Sequence, residues 1–310
     1  MGLENPFFSI IIPAYNRAFI LQETIESAQF QSFTNWEIII VDDGSKDNTK
    51  ELIESISQKD SRVRYIYQNN AERSAARNNG ANHAKGNYFL FLDSDDKYAS
   101  GHLENLFQFI LQKQEPIALF FTNVCYLTAK GIETPNIPIM QTGNEFNYLL
   151  LNPITPSRVC IHRNILKEFN FDPKIVIVED LVLWVSIATK FQVFQVPINS
   201  LLYRIHEGNS VDLSRNSYLD RYKGLNRLFH DTDYLTVSKK IPAKIKKHLL
   251  AECSFNMARH YEFIKNWAMM NRMLLVSFKH LASYRNKERL FMFLSHFQLT
   301  ASFVNKKSIK

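Results

Sequence analysis

The chain has 310 residues, 45% of them hydrophobic and 22% charged, with a net charge of +7. This composition fills one large domain with a smaller appendage and excludes a disordered chain. The basic residues are spread out with no nucleic-acid-binding motif beside them, so nucleic acid is not an expected partner.

Residues 7–12 (Phe-Phe-Ser-Ile-Ile-Ile) are an apolar strand. It must end near Pro13, which cannot donate to a ladder, and this delivers Tyr15 and Asn16 to the sheet edge. A helix over 19–33 leads to a second strand, 36–41, which runs into Asp42-Asp43-Gly44-Ser45. Gly44 suits the tight turn, and Asp47-Asn48-Thr49 offers caps for a helix over 49–56. After a helix over 74–84, Phe89-Leu90-Phe91-Leu92 is short enough for a strand buried in a parallel sheet, and it stops in Asp93-Ser94-Asp95-Asp96. Such a cluster is either a solvated acidic turn or a cation site. Oxygen ligands of this kind suit Mg²⁺ or Mn²⁺ beside substrate phosphates. A helix over 102–112, a strand over 117–126, a loop over 131–143 and a strand over 155–162 follow. The alternation predicts right-handed crossovers, hence an α/β doubly wound, mostly parallel sheet with its ligand at the carboxyl ends of the strands.

Beyond His206 the pattern turns helical, with helices over 216–229, 242–264, 267–281 and 289–304. The predicted boundary lies near Asp212, separating a catalytic domain (1–212) from a helical C-terminal region (213–310). Ile241, Ile245, Leu249, Cys253, Met257 and Tyr261 recur every fourth residue, a stripe for core packing or for a homodimer. Leu290 to Leu294, Phe297 and Phe303, then Lys306, Lys307 and Lys310, would suit either peripheral contact with a membrane or docking on the rest of the chain. Three scattered cysteines (Cys125, Cys160, Cys253) read as reduced core residues. With no signal-peptide pattern and no apolar run of about 18 residues, the expected location is cytoplasmic, or peripheral at the inner face of the plasma membrane.

Five segments carry a resemblance. Pro13-Ala14-Tyr15-Asn16-Arg17, Val41-Asp42-Asp43-Gly44-Ser45, Ala75-Ala76-Arg77-Asn78-Asn79-Gly80, Leu92-Asp93-Ser94-Asp95-Asp96 and Glu179-Asp180-Leu181-Val182-Leu183-Trp184 stand in order. Together with Tyr203-Arg204-Ile205-His206 they resemble the family 2 glycosyltransferases, inverting enzymes of the GT-A fold that use nucleotide-sugar donors. The resemblance implies a donor pocket containing Pro13, Tyr15, Asn16 and Asp43, with Asp43 hydrogen-bonding the base and Tyr15 lying against it. It places Arg73 on the base or a phosphate and lets Arg77 brace the acidic strand ends. Asp93-Ser94-Asp95 matches the family's DXD motif. Asp95 would hold a divalent metal, Asp93 the ribose or the metal through water, and His206 a further ligand position or a phosphate.

Inversion needs a base opposite the leaving group, and the resemblance assigns it to Asp180, with Glu179 orienting Asp180 or the acceptor. Its place at a helix start would keep it ionised, and is also that of an ordinary N-cap. Trp184 reads as core packing or a platform for a sugar ring. The Gln-x-x-Arg-Trp motif of the processive synthases is missing, which implies transfer of a single sugar. The expected partners are a nucleotide-sugar, UDP-linked by preference, and a saccharide or lipid-linked saccharide acceptor, in bacterial cell-surface polysaccharide or lipopolysaccharide assembly. The rivals are a non-catalytic scaffold of the same fold and a nucleotidyltransferase. The second should carry a glycine-rich loop where Pro13 to Arg17 has no glycine.

Overall fold

A computed structural model describes residues 5–206 and 217–294. The chain forms two compact units that divide after His206.

The first unit is built on strands whose apolar runs leave no polar face. β1 (Phe8–Ala14) and β2 (Trp36–Asp42) are buried almost throughout, as strands covered on both faces must be. With β3 (Val63–Tyr67) and β4 (Tyr88–Phe91) they form a parallel set in the order β3-β2-β1-β4. The crossovers are helices α1 (Ala18–Gln29), α2 (Thr49–Lys59) and α3 (Glu72–His83). Beyond β4 the sheet continues through β8 (Val159–His162), β6 (Ala118–Thr128), β9 (Gln192–Arg204) and β5 (Lys97–Tyr98), with β7 (Gly131–Glu133) hairpinned onto β6. β8, β7 and β5 run against the other six strands, so the nine-stranded sheet is mostly parallel. Helices α4 (His102–Gln112), α5 (Glu145–Leu151) and α6 (Glu179–Ile187) complete the unit.

Several expected elements differ. β3 was not anticipated, because Arg64 interrupts a run of only five residues at the sheet edge. The expected strand over 155–162 keeps only its second half, because Pro156 opens a 3₁₀ turn over Pro156–Arg158. The expected loop over 131–143 begins as β7. β9 escaped notice because Pro197 and polar residues mask it. Its register against β6 slips between Thr122 and Val124, which spares Pro197 a ladder bond.

In the second unit, α7 (Ser217–His230), α8 (Leu235–Lys240), α9 (Ala243–Phe263) and α10 (Trp267–His280) precede a helical stretch over 286–294. Leu249, Cys253 and Met257 of the apolar stripe are buried in α9, and Ile241 is buried just before it. Ile245 and Tyr261 are half-buried, so the stripe serves the core of this unit. The rest of the expected last helix, with Phe297, Phe303, Lys306, Lys307 and Lys310, lies outside the described residues, as does the boundary at Asp212.

One glycine fixes how close α3 comes to the sheet. A Cβ on Gly80 would stand 2.5 Å from Ile11 Cγ2 and 3.2 Å from Val41 Cγ2. Gly80→Ala is therefore expected to destabilise by about 1–3 kcal/mol despite alanine's better helix propensity. An unshifted urea midpoint would show that the helix can move away freely.

Candidate active site

The carboxyl ends of β1, β2 and β4 meet at one edge, and their loops are tied together. Asn16 takes a left-handed conformation (φ 52°), its N–H donates to Ser45 Oγ (2.9 Å), and its Oδ1 accepts from the Lys46 N–H (2.8 Å). Its side-chain oxygen therefore joins two loops. Tyr15 leaves its ring 46% exposed, while Pro13 is half-buried inside β1, a strand that runs through it to Ala14. The two aspartates of β2 divide their tasks. Asp42 accepts from the Ser45 N–H and the Tyr65 hydroxyl, and burial together with this contact pushes the Tyr65 phenol up. Asp43 accepts from Gln68 Nε2 (2.7 Å) and the Ala71 N–H (2.8 Å), both on Oδ1. No described donor reaches its Oδ2.

Arg77 is the hub. It lies fully buried on α3, donating to Asp93 Oδ1 (2.6 Å) and Glu179 Oε1 (3.0 Å), with the Phe171 ring 5.2 Å from the guanidinium carbon. Burial pulls its pKa down, but the Asp93 and Glu179 carboxylates outweigh that and raise it. Arg73 Nε stands 3.6 Å from the same Glu179 oxygen. The resemblance-based position of Arg73 over a base or phosphate is thus shared with an ion pair to Glu179.

The acidic turn after β4 is held from three sides. Ser157 Oγ accepts from the Asp93 N–H (3.0 Å), and Thr24 Oγ1 donates to the carbonyl of the buried Ser94 (3.0 Å). Arg204 donates its N–H to Asp96 Oδ1, its Nε–H to the Asp95 carbonyl and a terminal N–H to Glu23 Oε2 (2.7 Å). Asp96 is buried, and its Oδ2 has no hydrogen-bond partner among the described residues. Burial, then the charges of Asp93 and Asp95, push its carboxyl well up.

Asp95 Oδ2 and His206 Nε2 face each other at 3.0 Å, both partly exposed. An oxygen and a nitrogen so placed fit a divalent cation that takes its remaining ligands from phosphate and water. Asp93 does not join them. Its Oδ1 is held by Arg77, and among the described residues no group of three or more His, Cys, Asp or Glu could hold a metal. The Arg77 contact leaves Asp95 and His206 as the closest pair of the expected set of Asp95, Asp93 and His206.

α6 begins at a strained point. Val178, the residue before its first turn, has φ 70°, a conformation that costs a β-branched side chain of order 1–3 kcal/mol. Glu179 and Asp180 form that first turn, and Asp180 Oδ1 accepts from the Leu181 N–H (2.7 Å). Val178, not Asp180, is the N-cap. Burial and the neighbouring Glu179 charge push the Asp180 carboxyl up to about 7, and the Leu181 N–H, Arg77 and Arg73 only partly oppose this. The expectation that the helix start keeps Asp180 firmly ionised is corrected: desolvation beside a second carboxylate exceeds the dipole's contribution. Trp184 is core, with its Nε1–H on the Ile154 carbonyl (2.8 Å).

The sequence model of glycosyl transferase family 2 matches residues 9–168. The chain belongs to that family. A Rickettsia felis protein described as an uncharacterized glycosyltransferase is 32% identical over 85% of this chain, which spans only 43% of that protein's length. An Escherichia coli relative, the UDP-Glc:alpha-D-GlcNAc-diphosphoundecaprenol beta-1,3-glucosyltransferase WfaP, is 33% identical over 71% of this chain and 84% of its own. The crystal structure of S. aureus TarS 1-349 in complex with UDP-GlcNAc superposes with a TM-score of 0.56 at 16% identity, covering 90% of this chain and 93% of that one. That likeness shows the fold.

Within the family 2 matched segment lie Asp43, Arg77 and the Asp93 to Asp96 turn, while Glu179, Asp180, Arg204 and His206 fall after it. Sequence reasoning missed the partners that hold these residues: Glu23, Thr24, Ser157 and the side chain of Arg204. Only Arg204 carried a signal, as the neighbour of His206 in Tyr203-Arg204-Ile205-His206.

Proposed function

We propose that the chain transfers one sugar from a nucleotide-diphosphate sugar to an acceptor hydroxyl with inversion at the anomeric carbon. The observation that carries this reading is the link from Asp93 through Arg77 to Glu179, which joins the acidic turn to the element bearing a carboxylate poised near neutral pH. An acceptor hydroxyl must lose its proton as the new bond forms, and a base with a pKa near the working pH suits that task. Asp180 takes the proton, while Glu179, fixed by Arg77, orients it. Asp43 Oδ2 accepts from the donor's base, Tyr15 lies against the base, and Asp93 faces the ribose. A divalent cation, Mn²⁺ or Mg²⁺, held by Asp95 and His206 would neutralise charge on the departing diphosphate.

UDP is the favoured carrier and a lipid-linked saccharide the favoured acceptor, in bacterial cell-surface polysaccharide or lipopolysaccharide assembly. The UDP-GlcNAc bound by TarS and the UDP-Glc and diphosphoundecaprenol in the E. coli relative's name support this choice. Calorimetric titration with UDP, GDP and dTDP, each with Mn²⁺ and with EDTA, tests the donor site. One nucleotide should bind only with metal present, and Asp95→Ala should weaken it by at least about tenfold, as loss of a charge-assisted ligand does. Equal binding in EDTA would remove the cation from the scheme. No binding of any nucleotide would move the reading to a scaffold.

A further inference from the structure

The formal charge is divided very unevenly along the chain. Up to His206 there are 18 basic and 22 acidic residues; after it there are 19 basic and 8 acidic. The net +7 thus conceals a slightly acidic catalytic unit and a helical unit carrying +11. Such asymmetry between parts of one chain points to a polyanionic partner for the basic part.

The helical unit also shows a specific apolar surface. On α10, Ala268, Arg272, Leu275, Phe278 and Lys279 are all exposed and recur at helical spacing along one side. On the stretch 286–294, Lys287, Leu290, Phe291 and Leu294 are exposed at i, i+3, i+4 and i+7, while Arg289 and Met292 on its other side are buried. Leu275, Phe278 and Leu290 border one groove, so the two stripes adjoin. Leu275, Phe278, Leu290, Phe291 and Leu294 are each at least half exposed, more large apolar surface than a helix keeps for solvent. Arg272, Lys279 and Lys287 stand on the same stripes.

We infer that this face of the helical unit docks on an anionic lipid surface, with Leu275, Phe278, Leu290, Phe291 and Leu294 entering the headgroup region and Arg272, Lys279 and Lys287 meeting lipid phosphates. Charge complementarity selects the occupant. A second copy would bring two strongly basic units together, which costs electrostatic energy, whereas a bilayer takes both apolar rings and cations. No helix among the described residues is long and apolar enough to cross a membrane, so the contact is peripheral.

Flotation of the full chain with vesicles of phosphatidylcholine alone, and of phosphatidylcholine with phosphatidylglycerol, tests this. The protein should float only with the anionic vesicles and be released by salt. Arg272→Gln/Lys279→Gln/Lys287→Gln should weaken vesicle binding about 100-fold, at roughly fivefold per cation near the surface. Leu290→Ser/Phe291→Ser/Leu294→Ser should also release it, and these exposed positions leave folding intact. Absence of flotation with anionic vesicles overturns the inference. So does concentration-dependent dimerisation in sedimentation that the serine variant abolishes, since the face would then belong to a second copy. UDP titration of the same variants should match the unsubstituted chain. Failure of UDP to bind at all would strike the proposed function and leave the lipid result standing.

Discussion

Arg77→Met is expected to lower stability by about 3–5 kcal/mol, the usual consequence of removing one partner from a buried ion pair. The change strands two carboxylates together, Asp93 Oδ1 and Glu179 Oε1, both of which lean on this guanidinium. At about 2–4 °C per kcal/mol the melting temperature should fall by roughly 10 °C, readable by calorimetry. Arg77→Lys should recover only part of the loss, because one ammonium cannot span two acceptors that a planar fork reaches at once. There is a second, independent readout. Arg77 helps hold the Asp180 carboxyl down, so its loss should move the pH midpoint of activity upward from about 7. Removing the opposing charge with Glu179→Gln should move that midpoint downward. A melting temperature unchanged in Arg77→Met would mean that the two carboxylates are already protonated or hydrated, and the hub would lose its meaning.

Asp180→Asn should abolish transfer while making the protein more stable. A general base contributes about 10²–10⁴-fold, so turnover should fall by that factor with UDP affinity preserved. In the unsubstituted chain, kcat/KM should rise with pH and level off above about 7, the folded value of the Asp180 carboxyl against its ordinary 3.8. Stability follows the opposite course. Between roughly pH 4 and 7 the folded state binds a proton that the unfolded state has released, so this group's contribution falls as pH rises through that window. Asparagine removes this charge altogether. The variant should therefore melt higher than the parent at pH 8, by clearly less at pH 5, and level with it only near pH 4 or below. If the stability difference were the same across these values, Asp180 would not titrate in that range, and its assignment as base would fail with it.

How far the sequence could carry the reading depended on the range of each interaction. The first three buried strands of the parallel set, with α2, α3 and α4, were legible because burial on both faces leaves a run of apolar residues bounded by turns and caps. β3 and β9 were not, since an edge strand and a bent strand with a proline need no such run. At the site, the acidic turn and the Glu179-Asp180 pair were legible as residue types at strand and helix ends. Their states were not. That Asp93 is spent on Arg77 depends on a partner 16 residues away, and the Asp180 shift depends on desolvation by the surrounding fold. Reading Asp180 from its helix position alone gave the wrong sign, because a local dipole was weighed without the burial that opposes it.

The contacts that assemble the site are long-range in sequence. Arg77 and Glu179 are 102 residues apart, and Asp95 and His206 are 111 apart. During synthesis the parallel strands β1 to β4 can pair well before either partner is made, so the acidic turn has Arg77 but neither Arg204 nor His206 while α6 and the end of β9 are still missing. Loop closure on that scale is slow and unrewarded until it is complete. The Arg77–Glu179 and Asp95–His206 contacts are thus among the last of their unit to form. A chain ending just past the family-matched segment, at residue 168, would present a sheet edge carrying an aromatic ring and several acids but neither Asp180 nor His206. Asp180 and His206 can join the acidic turn only once synthesis has passed residue 206.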